Sequence, residues 1–518
     1  MSRKEQSRMG AHYENSLYRQ YEETQALLDK MTARLDRIEQ EHKEEIARLK
    51  EEHRQEVAEL KAEIEKRDKR IAELTARNEA LEEEVTRLKS ILNNDSHNSS
   101  NPPSGDQKPS RKKANEYNSR RKSGRAQGGQ KGHKGKTLTP EDVSRMLSSG
   151  KCEHNVKIIG RPGGKYVTRY TVDMRVVPVV TEYRIYQNKQ GKYPIPAGLW
   201  CRAAYGNRLR AFVVALYGIG VVSNDRIADF IQSMTQGVIR IATGTVYGFC
   251  RSFSEKATSS LFNIEARLMN QSVIHTDATV VSVNGVQSYI RNISTDDAVM
   301  YYDMSHKTVA EMEKISLLKC FTGVMVHDHE TTLYRFPALH AECNVHILRY
   351  LEKNSQDTKN DWSQKMSSFF TQANTERKIH TAMGVTCFSD SVIAGYEQEY
   401  DRILSEGWQQ NQSTKPKWAK QDEAALLRRL EKYKANHLLF LHDFAVSFDN
   451  NMSERDLRKC KSRQKMSGGF RTQAGSSMYC DILSVIETAK RCHINPFDVI
   501  SHILQGGSCF MDKVGGEL

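Results

Sequence analysis

The sequence predicts a multidomain chain: an N-terminal coiled coil, then β-rich and helical regions, then an α/β core that carries an all-helical insertion. Three observations predict it. Residues 20 to about 92 contain no Pro or Gly and repeat in heptads. From Ser272 to Asp328, short apolar runs with strand-like alternation are separated by a turn and by one helix-like stretch. Between Asp328 and Glu454 lie 125 residues, most of them helical in pattern.

A chain of 518 residues accommodates several domains, one of them with a large core. The formal charge of +13 and the pI of about 9.1 favour a polyanionic partner. No run of 18 apolar residues occurs, and Met1-Ser-Arg-Lys-Glu leads into no apolar segment. A membrane span and a secretory signal are therefore not expected, and a cytoplasmic protein is. Ten scattered cysteines fit a reducing compartment better than a disulfide framework.

In residues 1–92, Val57, Ile64, Ile71, Asn78, Val85 and Leu92 occupy one core position of the heptad, and Leu60, Arg67, Leu74, Leu81 and Leu88 the other. β-Branched residues at a with Leu at d favour a parallel two-stranded coil, and Asn78 at a fixes register at a cost in stability. Leu35, Ile38, His42, Ile46 and Leu49 follow a shifted frame, so a stutter is expected near 46–53. The coil predicts a homodimer or a higher oligomer.

Residues 93–137 are rich in Ser, Asn, Pro, Gly and basic residues and cannot build a core. Between 106 and 136, eleven Lys/Arg face only Asp106 and Glu116, the composition of a disordered linker that neutralises phosphates. Residues 138–200 predict a small β-rich domain. Tyr166, Thr168, Tyr170, Val172, Met174 and Val176 alternate with polar residues, Pro178 ends that strand, and Val179–Tyr186 supplies a second. Cys152 and His154 lack two further ligands nearby, so this unit is expected to fold without zinc.

Residues 201–268 predict three helices, Asn207–Tyr217, Asn224–Met234 and Thr243–Phe253, the last capped by Thr243 or Thr245. They form either a helix-turn-helix DNA reader or a support for the core. The core's first part, 269–355, begins with a strand over Val273–Val283. Asn284-Gly285 signals a type I′ hairpin, Gln287–Ile293 returns, and Ala298–Tyr302 follows. A helix over Thr308–Leu318 then leads to a fourth strand, Gly323–Val326, which ends at His327-Asp328. That order of meander, crossover helix and parallel strand is the order of a ribonuclease H-like core. Residues 356–438 read as the helical insertion, broken at Asn411-Gln-Ser-Thr-Lys-Pro-Lys. Residues 439–518 return to the core with a helix bearing Glu454 and a final helix over Ser476–Lys490.

Asp277, Asp328 and Glu454 are the candidate catalytic residues and metal ligands. Two strand-borne carboxylates and one on a facing helix suit a pair of Mg²⁺ ions, or Mn²⁺ in their place, because these hard cations take few protein ligands and those are oxygens. Asp277 is expected to bridge the ions, with Asp328 and Glu454 on either side. His275, His327 and His329 flank the acids. His340, Cys343, His346 and Arg349 are expected on one helix that supports the Asp328 region. Arg455, Arg458, Lys459, Lys461, Arg463 and Lys465 follow Glu454 and suit a phosphate backbone, and Gly468-Gly469 would let a DNA backbone approach closely.

Several stretches together resemble the IS66 family of bacterial insertion-sequence transposases. These are Asn98-Ser-Ser-Asn-Pro-Pro-Ser, the glycine-basic run from Gly128, His275-Thr-Asp-Ala-Thr, Val326-His-Asp-His and His340-Ala-Glu-Cys-Asn-Val-His-Ile-Leu-Arg. Phe448-Asp-Asn-Asn-Met-Ser-Glu-Arg-Asp-Leu-Arg and Lys465-Met-Ser-Gly-Gly-Phe-Arg are the most specific. The resemblance implies a DDE enzyme with Asp277, Asp328 and Glu454 as its triad. It also implies double-stranded DNA (element ends and target) as substrate, and accessory transposition proteins as candidate partners. The family's cysteine-rich zinc module is echoed here only by Cys152 and His154. The alternatives are a structure-specific nuclease of the same fold and a non-catalytic coiled-coil DNA-binding scaffold.

Overall fold

The computed structural model describes residues 3–92, 138–159, 167–196 and 201–507. The basic linker expected over 93–137 lies outside the described residues. The chain divides into two units, 1–92 and 93–518.

The first unit is one uninterrupted helix, α1 (Arg3–Leu92), which runs straight through the expected stutter. A helix of 90 residues is about 135 Å long. Ion pairs such as Arg67–Glu63 and Lys69–Glu65 support its surface one turn apart. Its heptad residues Leu60, Ile64, Ile71, Leu74, Leu81 and Leu88 are exposed in the single chain, and Val57 is half-buried.

The second unit opens with α2 (Pro140–Ser148), started by a capping box between Thr139 and Asp142. The strands expected over 166–186 are not formed: among the described residues, 167–196 contain none. Alternation decides which face of a strand would be buried, but a strand exists only when a neighbour pairs with its backbone. Here Val167, Val172, Met174, Val179, Val180 and Tyr186 are exposed on both sides.

The helices α3 (Asn207–Gly218), α4 (Asn224–Met234), α5 (Thr243–Lys256) and α6 (Thr258–Met269) lie where expected. Neither Thr243 nor Thr245 caps α5, which begins after Ala242 with no side-chain cap. Val213, Tyr217, Ile231, Phe253 and Ile264 join the core formed by the sheet and the C-terminal helices, so this region supports the core.

The core is a mixed five-stranded open sheet, order β3-β2-β1-β4-β5, flanked by helices. β1 (Val273–Val283), β2 (Val286–Ser294) and β3 (Val299–Met304) form an antiparallel meander. Asn284 and Gly285 both have positive φ, +52° and +78°, as a type I′ turn requires. Two short helices, α7 (Val309–Met312) and α8 (Ser316–Cys320), replace the single crossover helix expected. β4 (Val324–His327) then runs parallel to β1, with Thr276 opposite His327.

β5 (Leu339–Glu342), parallel to β4, is a strand that sequence reasoning missed. It corrects the expectation that His340, Cys343, His346 and Arg349 share a helix. His340 is on β5, Cys343 is the N-cap, and only His346 and Arg349 lie in α9 (Asn344–Thr358).

The insertion is all helical: α10 (Trp362–Ala382), α11 (Asp390–Ser413), α12 (Lys417–Lys432) and α13 (Lys434–His442). Its core is continuous with β4, β5 and α9 through Val326, Ala341, Ile347 and Leu351. At its centre the buried Glu423 accepts from Trp362, Asn360, Asn411 and Thr414, so its carboxylate is fully satisfied. α14 (Asn451–Ser467), α15 (Gln473–Arg491) and α16 (Pro496–Leu504) close the unit. Among the described residues, no helix is long and apolar enough to cross a membrane.

Candidate active site

The sheet sets the first two carboxylates side by side. Thr276 pairs with His327, so the next residue on each strand, Asp277 and Asp328, leaves the register at the same edge. Asp277 Oδ1 accepts the Ala278 N–H at 2.7 Å, and the Asp277 N–H is held by Asn292 Oδ1 at 3.1 Å. Burial and the neighbouring Asp328 carboxylate push the Asp277 carboxyl up to about 6.

Glu454 arrives on the first turn of α14. The placement of that turn depends on Asn450, which is fully buried and directs its side chain away from the helix. Its Nδ2 donates to the Thr276 carbonyl at 2.9 Å and its Oδ1 meets His275 Nδ1 at 3.1 Å, while its backbone N–H points at Cys343 Sγ at 3.3 Å. Asn292 adds a second tie to α14, donating to Asp456 at 3.2 Å. Both asparagines bind β1 or β2 to the start of α14, one on either side of Asp277.

His346 sits between the second and third acids. Its Nδ1 is 3.1 Å from Asp328 Oδ1 and its Nε2 is 4.0 Å from Glu454 Oε1. Burial works against an ionised Asp328, yet His346 outweighs it and holds that carboxyl below its usual range. Burial likewise opposes an imidazolium at His346, and Asp328 raises it regardless. The contact is ionic rather than an aligned hydrogen bond, because neither atom has a correctly directed partner among the described residues.

The loop after β4 is braced from two sides. Arg291 on β2, with no exposed side-chain surface, donates to both Glu330 oxygens at 2.7 and 2.8 Å and to Thr276 Oγ1 at 3.0 Å. On the other side Glu342, also without exposed side-chain surface, accepts from His329, Tyr334 and Arg429, each at 2.6 Å. Arg429 belongs to α12, so the insertion is tied to the residue after Asp328. Burial disfavours the Glu342 carboxylate, but His329, His437 and Arg429 hold its carboxyl far below the ordinary value of 4.5. A group with a depressed folded pKa contributes stability above its unfolded value and loses it as the pH falls through the folded one. Thermal melts of the wild type should therefore drop steadily below about pH 4.5, and Glu342→Gln should flatten that limb; parallel acid limbs would rule out the Glu342 hub.

The flanking histidines are engaged in this framework. His275 is held by Asn450, and burial keeps it below its usual value. His327 meets His340 Nδ1 at 3.1 Å and the Asp328 carbonyl, and burial lowers it to about 4. None is placed as a free general base.

The basic residues after Glu454 divide by role. Arg455, Arg458, Lys461 and Lys465 are exposed along α14. Lys459 instead pairs with Glu487, and Arg463 is buried, donating to the Val222 carbonyl at 2.8 Å with its guanidinium 4.3 Å from the Tyr217 ring centre. Gly468 and Gly469 also have roles in the fold. Gly468 ends α14 with φ +69°, and a Cβ on Gly469 would lie 2.4 Å from the Ser282 carbonyl, where Phe470 pairs with the end of β1.

Asp277 and Asp328 repel each other in a partly dry site, and Glu454 stands 4.0 Å from the His346 ring that also meets Asp328; carboxylate oxygens of this kind suit hard divalent cations. Asp328, Cys343 and His346 also form a buried cluster that could coordinate a metal ion. The family model for the IS66 transposases matches residues 202–478, more than half of the chain and the whole span from α3 through Glu454. The chain belongs to the IS66 transposase family. It is accordingly a DDE-type transposase, an enzyme of metal-dependent phosphoryl transfer. A second family model, of unknown function (DUF6444), matches residues 14–139 of the transposase, most of α1 and the basic stretch after it. No curated protein matches the chain.

Sequence reasoning missed Asn292, Arg291, Glu330, Glu342 and Asn450, which position the acids without carrying the chemistry. The signal for Asn450 was its place four residues before Glu454, at the start of the helix that carries that acid.

Proposed function

We propose that Asp277, Asp328 and Glu454 are the DDE triad of a ribonuclease H-like core and hold two Mg²⁺ ions, with Mn²⁺ as a substitute. The observation that carries this reading is the convergence around His346, 3.1 Å from Asp328 and 4.0 Å from Glu454, with Asp277 at the same sheet edge. The strand order supports the core, because Asp277 within β1 and Asp328 just past β4 lie side by side where the parallel β1–β4 pairing ends, the kind of place where ligands of α/β sheets gather. Bound there, the ions supply activation of the attacking oxygen and neutralise charge on the leaving one.

Asp277, Asp328 and Glu454 would hold the ions through their carboxylate oxygens. Water cleaves the phosphodiester at the element end and frees a 3′-hydroxyl, which then attacks target DNA with no covalent enzyme intermediate. Arg455, Arg458, Lys461 and Lys465 present positive charge along the helix that starts at the site, suited to the substrate backbone. The insertion, anchored by Arg429 to Glu342, closes over the DNA ends. The exposed heptad face of α1 pairs with a second copy in parallel, so two active sites serve two element ends.

Strand-transfer assays with pre-cut element ends and Mg²⁺ test this directly. A joined product is expected, whereas a nuclease would cut intact ends and join none. Deleting residues 93–137 should lower DNA affinity at low salt and reduce the slope of log affinity against log salt; an unchanged slope would limit that segment to protein assembly.

A further inference from the structure

We propose that Asp328, Cys343 and His346 form a site for a thiophilic divalent transition ion of the Zn²⁺ type, which shares Asp328 with the magnesium pair and excludes it. One ligand atom from each residue lies within 4.8 Å of the others, and Cys343 and His346 are 1% and 6% exposed. Asp328 Oδ1 and His346 Nδ1 are both buried, lie 3.1 Å apart, and lack an aligned hydrogen bond among the described residues. Thiol, imidazole and carboxylate are also the wrong set for Mg²⁺, which takes oxygen, and the right one for zinc with one position open to water.

The local chain explains the geometry. β5 stops at Glu342, Cys343 is the N-cap of α9, and His346 lies in its first turn, so the Cys-x-x-His spacing folds both donors to one side. The Asn450 N–H, 3.3 Å from Cys343 Sγ, and the start of a 15-residue helix place positive partial charge where a metal-bound thiolate would be negative. With Nδ1 on the ion, Nε2 carries the proton toward Glu454 Oε1, 4.0 Å away, the carboxylate–histidine arrangement that orients zinc ligands. The half-buried Arg349 lies 3.3 Å from Nε2 and would have to turn away once that nitrogen carries the proton. The thiol proton is released to solvent on binding.

This site shares Asp328 with the triad reading, and Glu454 faces His346 in it, but its thiol ligand Cys343 belongs to no part of the triad, so the two can fail separately. The metal-free full chain is titrated with Co²⁺. The expected result is a thiolate-to-cobalt charge-transfer band that saturates near one equivalent and is displaced by Zn²⁺. Cys343→Ser should lose the band, and Zn²⁺ inhibition of its Mg²⁺-dependent end cleavage, relative to its own uninhibited rate, should shift upward at least about tenfold. His346→Asn keeps the thiol, so weakened Co²⁺ binding there is expected even if Cys343→Ser folds poorly. No band in the wild type, or a full band in Cys343→Ser, overturns the proposal. Asp277→Asn should retain the band, so a cleavage-dead Asp277→Asn with the band present separates this site from the triad.

Discussion

Asp277→Asn should lose DNA cleavage by on the order of a thousandfold or more, beyond the ten- to hundredfold typical of outer-shell metal partners, while its DNA affinity stays unchanged. The same change should make the metal-free protein more stable at neutral pH. Asp277 is pushed from 3.8 to about 6 by burial and by Asp328, so the fold disfavours its ionised form. The sign follows: the wild type loses stability as pH rises from about 4 through 6, whereas Asn carries no such charge. The rise corresponds to at most about 3 kcal/mol, and the partial solvent access of Asp277 brings it toward about 1. Adding Mg²⁺ should then raise the melting temperature of the wild type and leave that of Asp277→Asn nearly unmoved. Cleavage retained in Asp277→Asn, or a metal-free variant less stable than the wild type at pH 7, would dissociate Asp277 from the metal site.

That residue was legible because its surroundings were. The alternation from Val273 and the Asn284-Gly285 turn define β1 and β2 within one hairpin, whose register is local. Asp328 was legible for a similar reason, at the end of a buried apolar strand. β5 was not: four residues bounded by a turn and a helix carry no period of their own, and Leu339–Glu342 becomes a strand only because β4 pairs with it. Misplacing β5 moved Cys343 and His346 onto one long helix, which hid the way the β5–α9 junction bends both toward Asp328.

The opposite error occurred over 166–186. There the period was clear, but a period without a pairing strand has no ladder to join, and those residues are exposed. The same limit applies to the polar framework. Asn450, Asn292 and Glu342 act through partners 174, 164 and 87 positions away in sequence, at Thr276, Asp456 and Arg429. Pattern reading over a short window cannot pair them. The candidate acids stand in unusual local contexts, whereas the residues around them look like ordinary polar residues until the chain has folded.

Arg291→Met tests that support most severely. Arg291 has no exposed side-chain surface, and Glu330 is 17% exposed. Removing the guanidinium leaves Glu330 with Lys307, 3.9 Å away, and leaves Thr276 Oγ1 without that donor. Breaking one side of a buried ion pair costs about 3–5 kcal/mol, because the other charge remains in a dry site. Neutralising both partners, Arg291→Met with Glu330→Gln, should recover part of that loss, with a coupling of roughly 0.5–3 kcal/mol in chemical denaturation. The consequence for chemistry follows from position. Glu330 lies two residues past Asp328, and Arg291 precedes Asn292, whose side chain holds the Asp277 N–H. The pair therefore fixes the distance between the first two carboxylates. Glu330→Gln, the milder change, should fold and require more Mg²⁺ for half-maximal cleavage before its maximal rate falls. If Arg291→Met were as stable as the wild type and Glu330→Gln kept an unchanged Mg²⁺ requirement, the spacing of Asp277 and Asp328 would have to be set elsewhere in the sheet.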